Sequence, residues 1–157
     1  MKKANEMRQL PSQEEILSMT GLEFMEKIKL GELPGAPIAK TLNYDLISVS
    51  LGQVIFRGAP KFDSMNPVGS VHGGWYGTLL DSAMACAVMT KIPKGSFYTT
   101  LEYKINIVKA ILNLPLRKFI TTLTTIPTQQ HSITYWFSDN ILNWRRNNSY
   151  KSCFNIS

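Results

Sequence analysis

Residues 66–81 read NPVGSVHGGWYGTLLD, a glycine-rich turn that leads into an apolar segment over residues 75–89. Asp81 is the only carboxylate in that segment. An ionisable group in a helix that must be buried is costly unless it has a partner or a function. The turn places free backbone N–H groups at the start of the helix, where negative charge is stabilised. An oxyanion-stabilising turn and a buried carboxylate two helical turns later predict a hydrolytic site.

The overall composition is that of one globular domain. The chain has 157 residues, 44% of them hydrophobic, and a mean hydropathy of −0.07. The net charge of +6 is uneven, because residues 1–111 carry 12 basic and 10 acidic side chains (+2) and residues 112–157 carry five and one (+4). No basic cluster with interleaved aromatic residues is present, so we expect no nucleic-acid partner.

The cysteines, histidines and hydrophobic runs give no sign of a disulfide-rich, metal-binding, secreted or membrane-spanning protein. Cys86 and Cys153 predict no disulfide framework, and Cys86 is expected to be a small core residue. His72 and His131 lack close cysteine or histidine neighbours, so no metal site is expected. No signal peptide is evident, and the longest apolar run is too short to span a bilayer. We therefore expect a cytoplasmic protein without a membrane partner.

The pattern along the chain predicts an α+β domain. Residues 1–40 are expected to hold short helices and a connector, with Ser12 as a helix cap, Glu15 at the capping-box position and a helix end near Gly31. Residues 41–111 are expected to form the core: a β-hairpin over residues 45–58, the helix over 75–89, and a half-buried strand over 98–108. An antiparallel sheet wrapped on one helix follows.

The character of the sequence changes after Ile111. All ten glycines lie before residue 96, and ten of the eleven acids lie before residue 103. Strands are predicted over residues 119–126 and 132–137, but the glycines that usually make tight turns are missing. Residues 112–157 are therefore treated as a divergent tail whose contribution to the sheet is in doubt.

Residues 18–111 resemble the hotdog-fold acyl-CoA thioesterases of the phenylacetate-degradation (PaaI-like) type. The motifs are GLEF at 21–24, GELPGAPIA at 31–39, NPVGSVHGG at 66–74 with LLDSA at 79–83, and YTTLEYKIN at 98–106. The resemblance implies an antiparallel sheet around one long helix, a homodimer or homotetramer, and acyl-CoA bound between subunits. The resemblance ends near Ala110, at a position where members of the family have proline. A frameshift in the coding sequence near residue 111 and genuine divergence are the two explanations that remain open.

The resemblance also implies a catalytic set, and each member has a structural alternative. Asp81 activates water or attacks the thioester carbonyl; otherwise it is bonded to a nearby donor. Gly73 holds the oxyanion through its N–H; otherwise it serves a positive φ or close packing. Asn66 orients substrate or water; otherwise it makes an Asn-Pro turn. Thr100 helps to hold the water, and strand alternation places it on the polar face.

The expected substrate-binding residues are His72, Gly74 and Lys104. His72 alternatively orients the turn, and Lys104 alternatively is a solvated lysine at a strand edge. Trp75 and Tyr76 are expected in the core or at a dimer contact. The implied reaction is hydrolysis of a small or aromatic acyl-CoA to the free acid and coenzyme A, with no metal or organic cofactor. The alternatives are an inactive relative with an incomplete sheet and an acyl-CoA-binding module without catalysis.

Overall fold

The computed structural model describes residues 1–103, 105 and 107, and the backbone of three further strands. The helices are α1 (Gln13–Leu17), α2 (Gly21–Leu30), α3 (Ile38–Thr41) and α4 (Gly73–Met89). The strands are β1 (Tyr44–Ser50), β2 (Gln53–Gly58), β3 (Phe119–Thr125), β4 (His131–Asp139) and β5 (Cys153–Ile156). Short 3-10 helices cover Met7–Gln9 and Phe62–Ser64.

Local capping explains where the N-terminal helices begin and end. The predicted cap at Ser12 is confirmed, since its side chain accepts a hydrogen bond from the Glu15 N–H at 3.1 Å. A reciprocal capping box, which the sequence analysis did not identify, starts α2: Thr20 and Glu23 bond each other's backbone N–H. Gly31, with φ of 82°, ends α2 in the left-handed conformation that glycine adopts without strain, as predicted.

The strands form one antiparallel sheet in the order β1-β2-β3-β4-β5. The predicted hairpin is confirmed as β1 and β2, with Tyr44 opposite Gly58 and Ser50 opposite Gln53. Gly52, at φ of 74°, makes the tight turn between them. The register shifts between Leu46 and Ser48, which marks a bulge in β1.

The predicted strand over residues 98–108 is not found. Its described residues, 98–103, 105 and 107, lie outside every strand, while residues 104, 106 and 108 lie outside the described part. The reason is competition for partners: β2 pairs with β1 on one side and with β3 on the other. The segment instead follows α4 where glycines leave room, with Ile107 beside Gly73 and Tyr103 beside Gly77.

Three strands of the C-terminal part join the sheet. The predicted strands over residues 119–126 and 132–137 are confirmed as β3 and β4, and β5 adds a third strand beyond them. Because β3 pairs with β2 over six residue pairs, the tail and the core share one sheet. The segment FITTLTT consists mostly of β-branched residues, which have a high β propensity and favour a strand without glycine. The turns between these strands fall outside the described residues. Whether a frameshift or genuine divergence produced the unusual sequence of residues 112–157 is not tested by the structure.

Helix α4 packs on the sheet and forms the centre of the core. The predicted helix over residues 75–89 is confirmed and begins two residues earlier, at Gly73. Trp75 is 2% exposed, and its Nε1 donates to the Leu42 carbonyl at 2.8 Å, while Tyr76 is also buried. Their expected place in the core is therefore confirmed. Among the helices of the described part, none is long and apolar enough to cross a membrane.

Candidate active site

The turn before α4 is held by the side chain of Asn66. Its Oδ1 accepts from the N–H groups of Val68 (3.1 Å) and Ser70 (3.2 Å), and its Nδ2 donates to the Ser70 Oγ at 2.6 Å. Gly69, at φ of 77°, allows the chain to reverse, and Met65 bridges Val71 to close the loop. The side chain of Asn66 thus uses both acceptor positions and one of its two amide hydrogens within the turn.

His72 caps α4 and uses the N–H of Gly74. The His72 Nδ1 accepts from that N–H at 2.9 Å, so the neutral ring carries its proton on Nε2. The His72 N–H donates to the Ser64 carbonyl at 2.8 Å, which ties the helix start to the preceding 3-10 turn. These bonds favour the turn-orienting alternative for His72. They also leave Gly74 without a backbone donor for a substrate.

Gly73 supplies the backbone donor that the sequence predicted. Among the described residues, none accepts a hydrogen bond from its N–H, as expected at the first position of a helix. Its φ is not positive, so a left-handed conformation does not explain the glycine. A Cβ here would lie 3.1 Å from the Ile107 Cδ1, a flexible side-chain end. The N–H of Gly73 is therefore the atom at this turn best placed to bind an anion or a polarised carbonyl.

Asp81 lies in the wall of a cavity of about 550 Å³ under α4. Its Oδ1 is removed from solvent and has no hydrogen-bond partner among the described residues. Thr99 and Thr100 line the same cavity, while apolar side chains of α2 and of the N-terminal segment make up much of the remaining wall. A buried carboxylate oxygen without a partner loses solvation with no compensating bond. Such a group is a functional-site candidate rather than a stabilising one.

Polar groups that the sequence analysis did not assign surround Asp81. The Tyr44 hydroxyl and the Ser82 Oγ lie 2.8 Å apart in a hydrogen bond beside the cavity. Burial, and then the charge of Asp81, raises the pKa of the Cys86 thiol to about 12. Burial also raises the pKa of the Tyr98 hydroxyl, and the charges of Cys86 and Asp81 add to that rise. Ser82 and Cys86 were detectable, because they lie one helical turn apart close to Asp81, and all three line the same cavity.

The structure thus divides the predicted site residues between two places. Asp81 and Thr100 line the cavity, whereas Asn66, His72, Gly73 and Gly74 lie at the start of α4; Lys104 is outside the described residues. Eight residues of helix separate Gly73 from Asp81, which is about 12 Å along the axis. The predicted alternation of Thr99 and Thr100 does not apply, because no strand forms there and both threonines line the cavity.

Comparisons with known proteins agree with this architecture. The family model described as the thioesterase superfamily matches residues 68–111, the stretch from the turn through α4 and beyond. A search of curated proteins gave no significant match.

Solved structures of thioesterases share the fold. A putative thioesterase, a phenylacetic acid degradation-related protein of Ralstonia eutropha, is 18% identical with a TM-score of 0.67, over 84% of this chain and 96% of that one. The PaaI protein of E. coli is 16% identical with a TM-score of 0.61, over 88% and 91%. A hypothetical thioesterase of Streptococcus pneumoniae with coenzyme A is 21% identical with a TM-score of 0.55, over 72% and 83%.

Family and fold therefore point to one enzyme class. The family match includes both the Gly73 turn and Asp81, and the structural matches extend over the sheet that residues 112–157 help to form. The predicted resemblance, fold class and enzyme class are confirmed at this level. The thioesterase superfamily model matches residues 68–111, and the chain shares the hotdog fold of the PaaI-like thioesterases to which it is similar.

Proposed function

We propose that this protein is an acyl-CoA thioesterase that hydrolyses acyl-CoA to the free acid and coenzyme A. The observation that carries the proposal is the buried Oδ1 of Asp81, which lines a cavity and has no hydrogen-bond partner among the described residues. A structural neighbour described with coenzyme A supports the substrate class. The proposed reaction uses no metal or organic cofactor, since coenzyme A is part of the substrate, and the proposed location is the cytoplasm.

In the proposed mechanism, Asp81 acts as base or nucleophile on the thioester carbonyl. As a base, it takes a proton from a water molecule whose oxygen bonds to the carbonyl carbon; Thr100 helps to hold this water. As a nucleophile, it attacks that carbon directly and the resulting anhydride is hydrolysed. In either route the C–S bond breaks and the thiolate of coenzyme A takes up a proton. The N–H of Gly73 stabilises the oxyanion.

The geometry of α4 favours a site made from two copies of the chain. Because Gly73 and Asp81 are about 12 Å apart along one helix, a single thioester carbonyl does not contact both in the same copy. We therefore propose that Gly73 of one copy and Asp81 of another act on the same substrate, consistent with the family's binding of acyl-CoA between subunits. Ile107 lies beside Gly73 and is 55% exposed, and it supplies apolar surface for such a contact.

The test is the Asp81→Asn variant, measured by thioester turnover with a thiol-trapping dye. We expect kcat to fall by roughly 10²-fold or more, the scale for loss of a positioned base or nucleophile. Asp63→Asn is the matched control, because Asp63 is exposed in the 3-10 turn Phe62–Ser64 and does not line the cavity that holds Asp81. An Asp81→Asn rate within threefold of wild type rejects the assignment. Coenzyme A binding without any turnover in wild type points to a binding module.

A further inference from the structure

The cavity that holds Asp81 continues toward a second, separate cavity. The second cavity has a volume of about 460 Å³ and is lined by Gln13, Leu17 and Phe97 among others. Four residues line both cavities, and they therefore stand at the junction: Ile16, Phe24, Met89 and Tyr98. The two cavities are therefore separated by these side chains near the C-terminal end of α4.

We propose that the first cavity binds an unbranched acyl chain of about eight to ten carbons, laid along α4 from Asp81 to Met89, and that Phe24 sets its length. This inference rests on the proposed thioesterase function and names its substrate class. It differs from the small or aromatic acyl group that the sequence resemblance implies.

The length follows from the face of α4 that lines the cavity. Asp81, Ala85 and Met89 lie one turn apart and all face it, and their span is about 12 Å at 1.5 Å per residue. Three bonds of an extended chain span at most about 3.6 Å, so 12 Å accommodates roughly ten bonds. A chain that begins at the thioester carbonyl near Asp81 therefore ends near Met89.

The chemistry of the walls selects a hydrocarbon. Met25 and Ile28 of α2, with Leu46 and Phe56 of the hairpin, provide the apolar surface opposite α4. Each methylene that leaves water for such a surface raises kcat/KM by about fourfold. The raised pKa of the Cys86 thiol agrees with a poorly solvated wall. A polar acyl group would meet few partners there, since polar side chains are grouped at Asp81, Ser82 and the two threonines.

Phe24 is held in place by its own helix. The Thr20–Glu23 capping box fixes the first turn of α2, and the Gly21 N–H donates to the Ile92 carbonyl at 2.9 Å, which ties that turn to the end of α4. Met25, the next residue, is 2% exposed in the core. The backbone of Phe24 therefore has a fixed position, and its side chain lines both cavities, so we expect its truncation to widen the junction between them.

The experiment measures kcat/KM for straight-chain acyl-CoA substrates from four to sixteen carbons and for phenylacetyl-CoA. We expect the wild-type value to rise by about fourfold per methylene to about ten carbons and then to fall. Phe24→Ala should move the maximum to chains several carbons longer, and Phe24→Leu should move it less while keeping most of the packing. Phe62→Ala is the matched control, since this phenylalanine is 88% exposed and lines neither cavity.

A second readout does not depend on turnover. The rise in melting temperature with the free carboxylic acids of the same lengths should show the same maximum and the same shift in Phe24→Ala. A flat length profile, a preference for phenylacetyl-CoA, or an unchanged profile in both Phe24 variants overturns the inference while the thioesterase proposal stands. Absence of turnover with every substrate, but an intact length profile in acid binding, overturns the proposed function and supports the cavity assignment.

Discussion

The two ends of the Gly73–Asp81 stretch present opposite hydrogen-bonding groups, a donor at the start and an acceptor at the end. At the start of α4, the side chains of Asn66 and His72 are bonded within the turn, and the group left without a described partner is the backbone N–H of Gly73. Two helical turns later, the unpartnered group is a side-chain oxygen, Oδ1 of Asp81, enclosed by residues from distant parts of the chain. A donor is therefore available at one place and an acceptor at the other.

The difference shows how local and tertiary structure contribute to one reaction. A free N–H is inherent in every helix start, so the turn needs only to hold its own side chains out of the way. A carboxylate oxygen is buried without a partner only where other elements of the fold enclose it. The comparison predicts that the Asp81 region is desolvated and that the Gly73 region acts through its backbone.

The largest expected effect is on the reactivity of Cys86. Because burial raises the pKa of its thiol to about 12 from 9.0, the thiolate is about a thousandfold scarcer near pH 8 than in an ordinary cysteine. We expect alkylation by iodoacetamide in a Cys153→Ser background to be roughly 10²-fold slower in the native protein than in urea, after allowing for the higher nucleophilicity of a basic thiolate.

The pH dependence of Cys86 alkylation tests the raised pKa of its thiol in a second way. Native labelling should rise steadily from pH 7 to pH 10 without levelling off, because deprotonation becomes half complete only near pH 12. Labelling at comparable rates in native and unfolded protein, or a plateau near pH 9, would show that the cavity wall beside Asp81 is solvated.

The next effect concerns Gly73. We expect Gly73→Ala to lower kcat by about tenfold or more, since a side chain at the oxyanion donor obstructs the approach of the substrate. Folding should be affected little, because φ at Gly73 is not positive and the new Cβ meets only the end of the Ile107 side chain at 3.1 Å. Turnover and thermal melts on the same preparation measure both quantities.

Gly69→Ala is the control variant, which we expect to lower stability and leave kcat unchanged, the reverse of Gly73→Ala. Its φ is 77° and nothing lies within 4 Å, so the substitution strains the backbone without a clash. We expect a loss of about 1 kcal/mol in the free energy of unfolding with nearly unchanged kcat per folded molecule. If Gly73→Ala loses stability in the same way and retains its turnover, the glycine serves packing alone.

The smallest effect tests whether the two regions act across copies of the chain. Co-expression of Asp81→Asn with Gly73→Ala should give mixed dimers in which one of two sites has both groups intact. At equal amounts, activity should return to about a quarter of wild type, several times above either variant. Activity equal to the mean of the two variants would place both groups in a single copy.

Prediction from the sequence succeeded where the signal is local. The β1–β2 hairpin, the cap at Ser12, the helix end at Gly31 and the apolar helix α4 each follow from a few neighbouring residues. The strand over residues 98–108 failed although its alternation was regular, because a strand also needs a free neighbour and β3 occupies that side of β2. The strands over residues 119–126 and 132–137 were predicted, but the missing glycines carried no information on how residues 53–58 pair with residues 119–124.

The sequence by itself determined the glycine turn at Gly73, the carboxylate at Asp81 and their eight-residue separation, because turn chemistry and helical rise are properties of a short stretch of chain. Only the tertiary structure decided that Asp81 Oδ1 is buried without a partner, that Ser82 bonds Tyr44, and that Phe24 stands between two cavities. Those facts depend on residues far apart in the sequence, such as Tyr44 and Ser82 or Phe24 and Tyr98. Burial and desolvation arise from everything that packs around a group, and no local pattern records them.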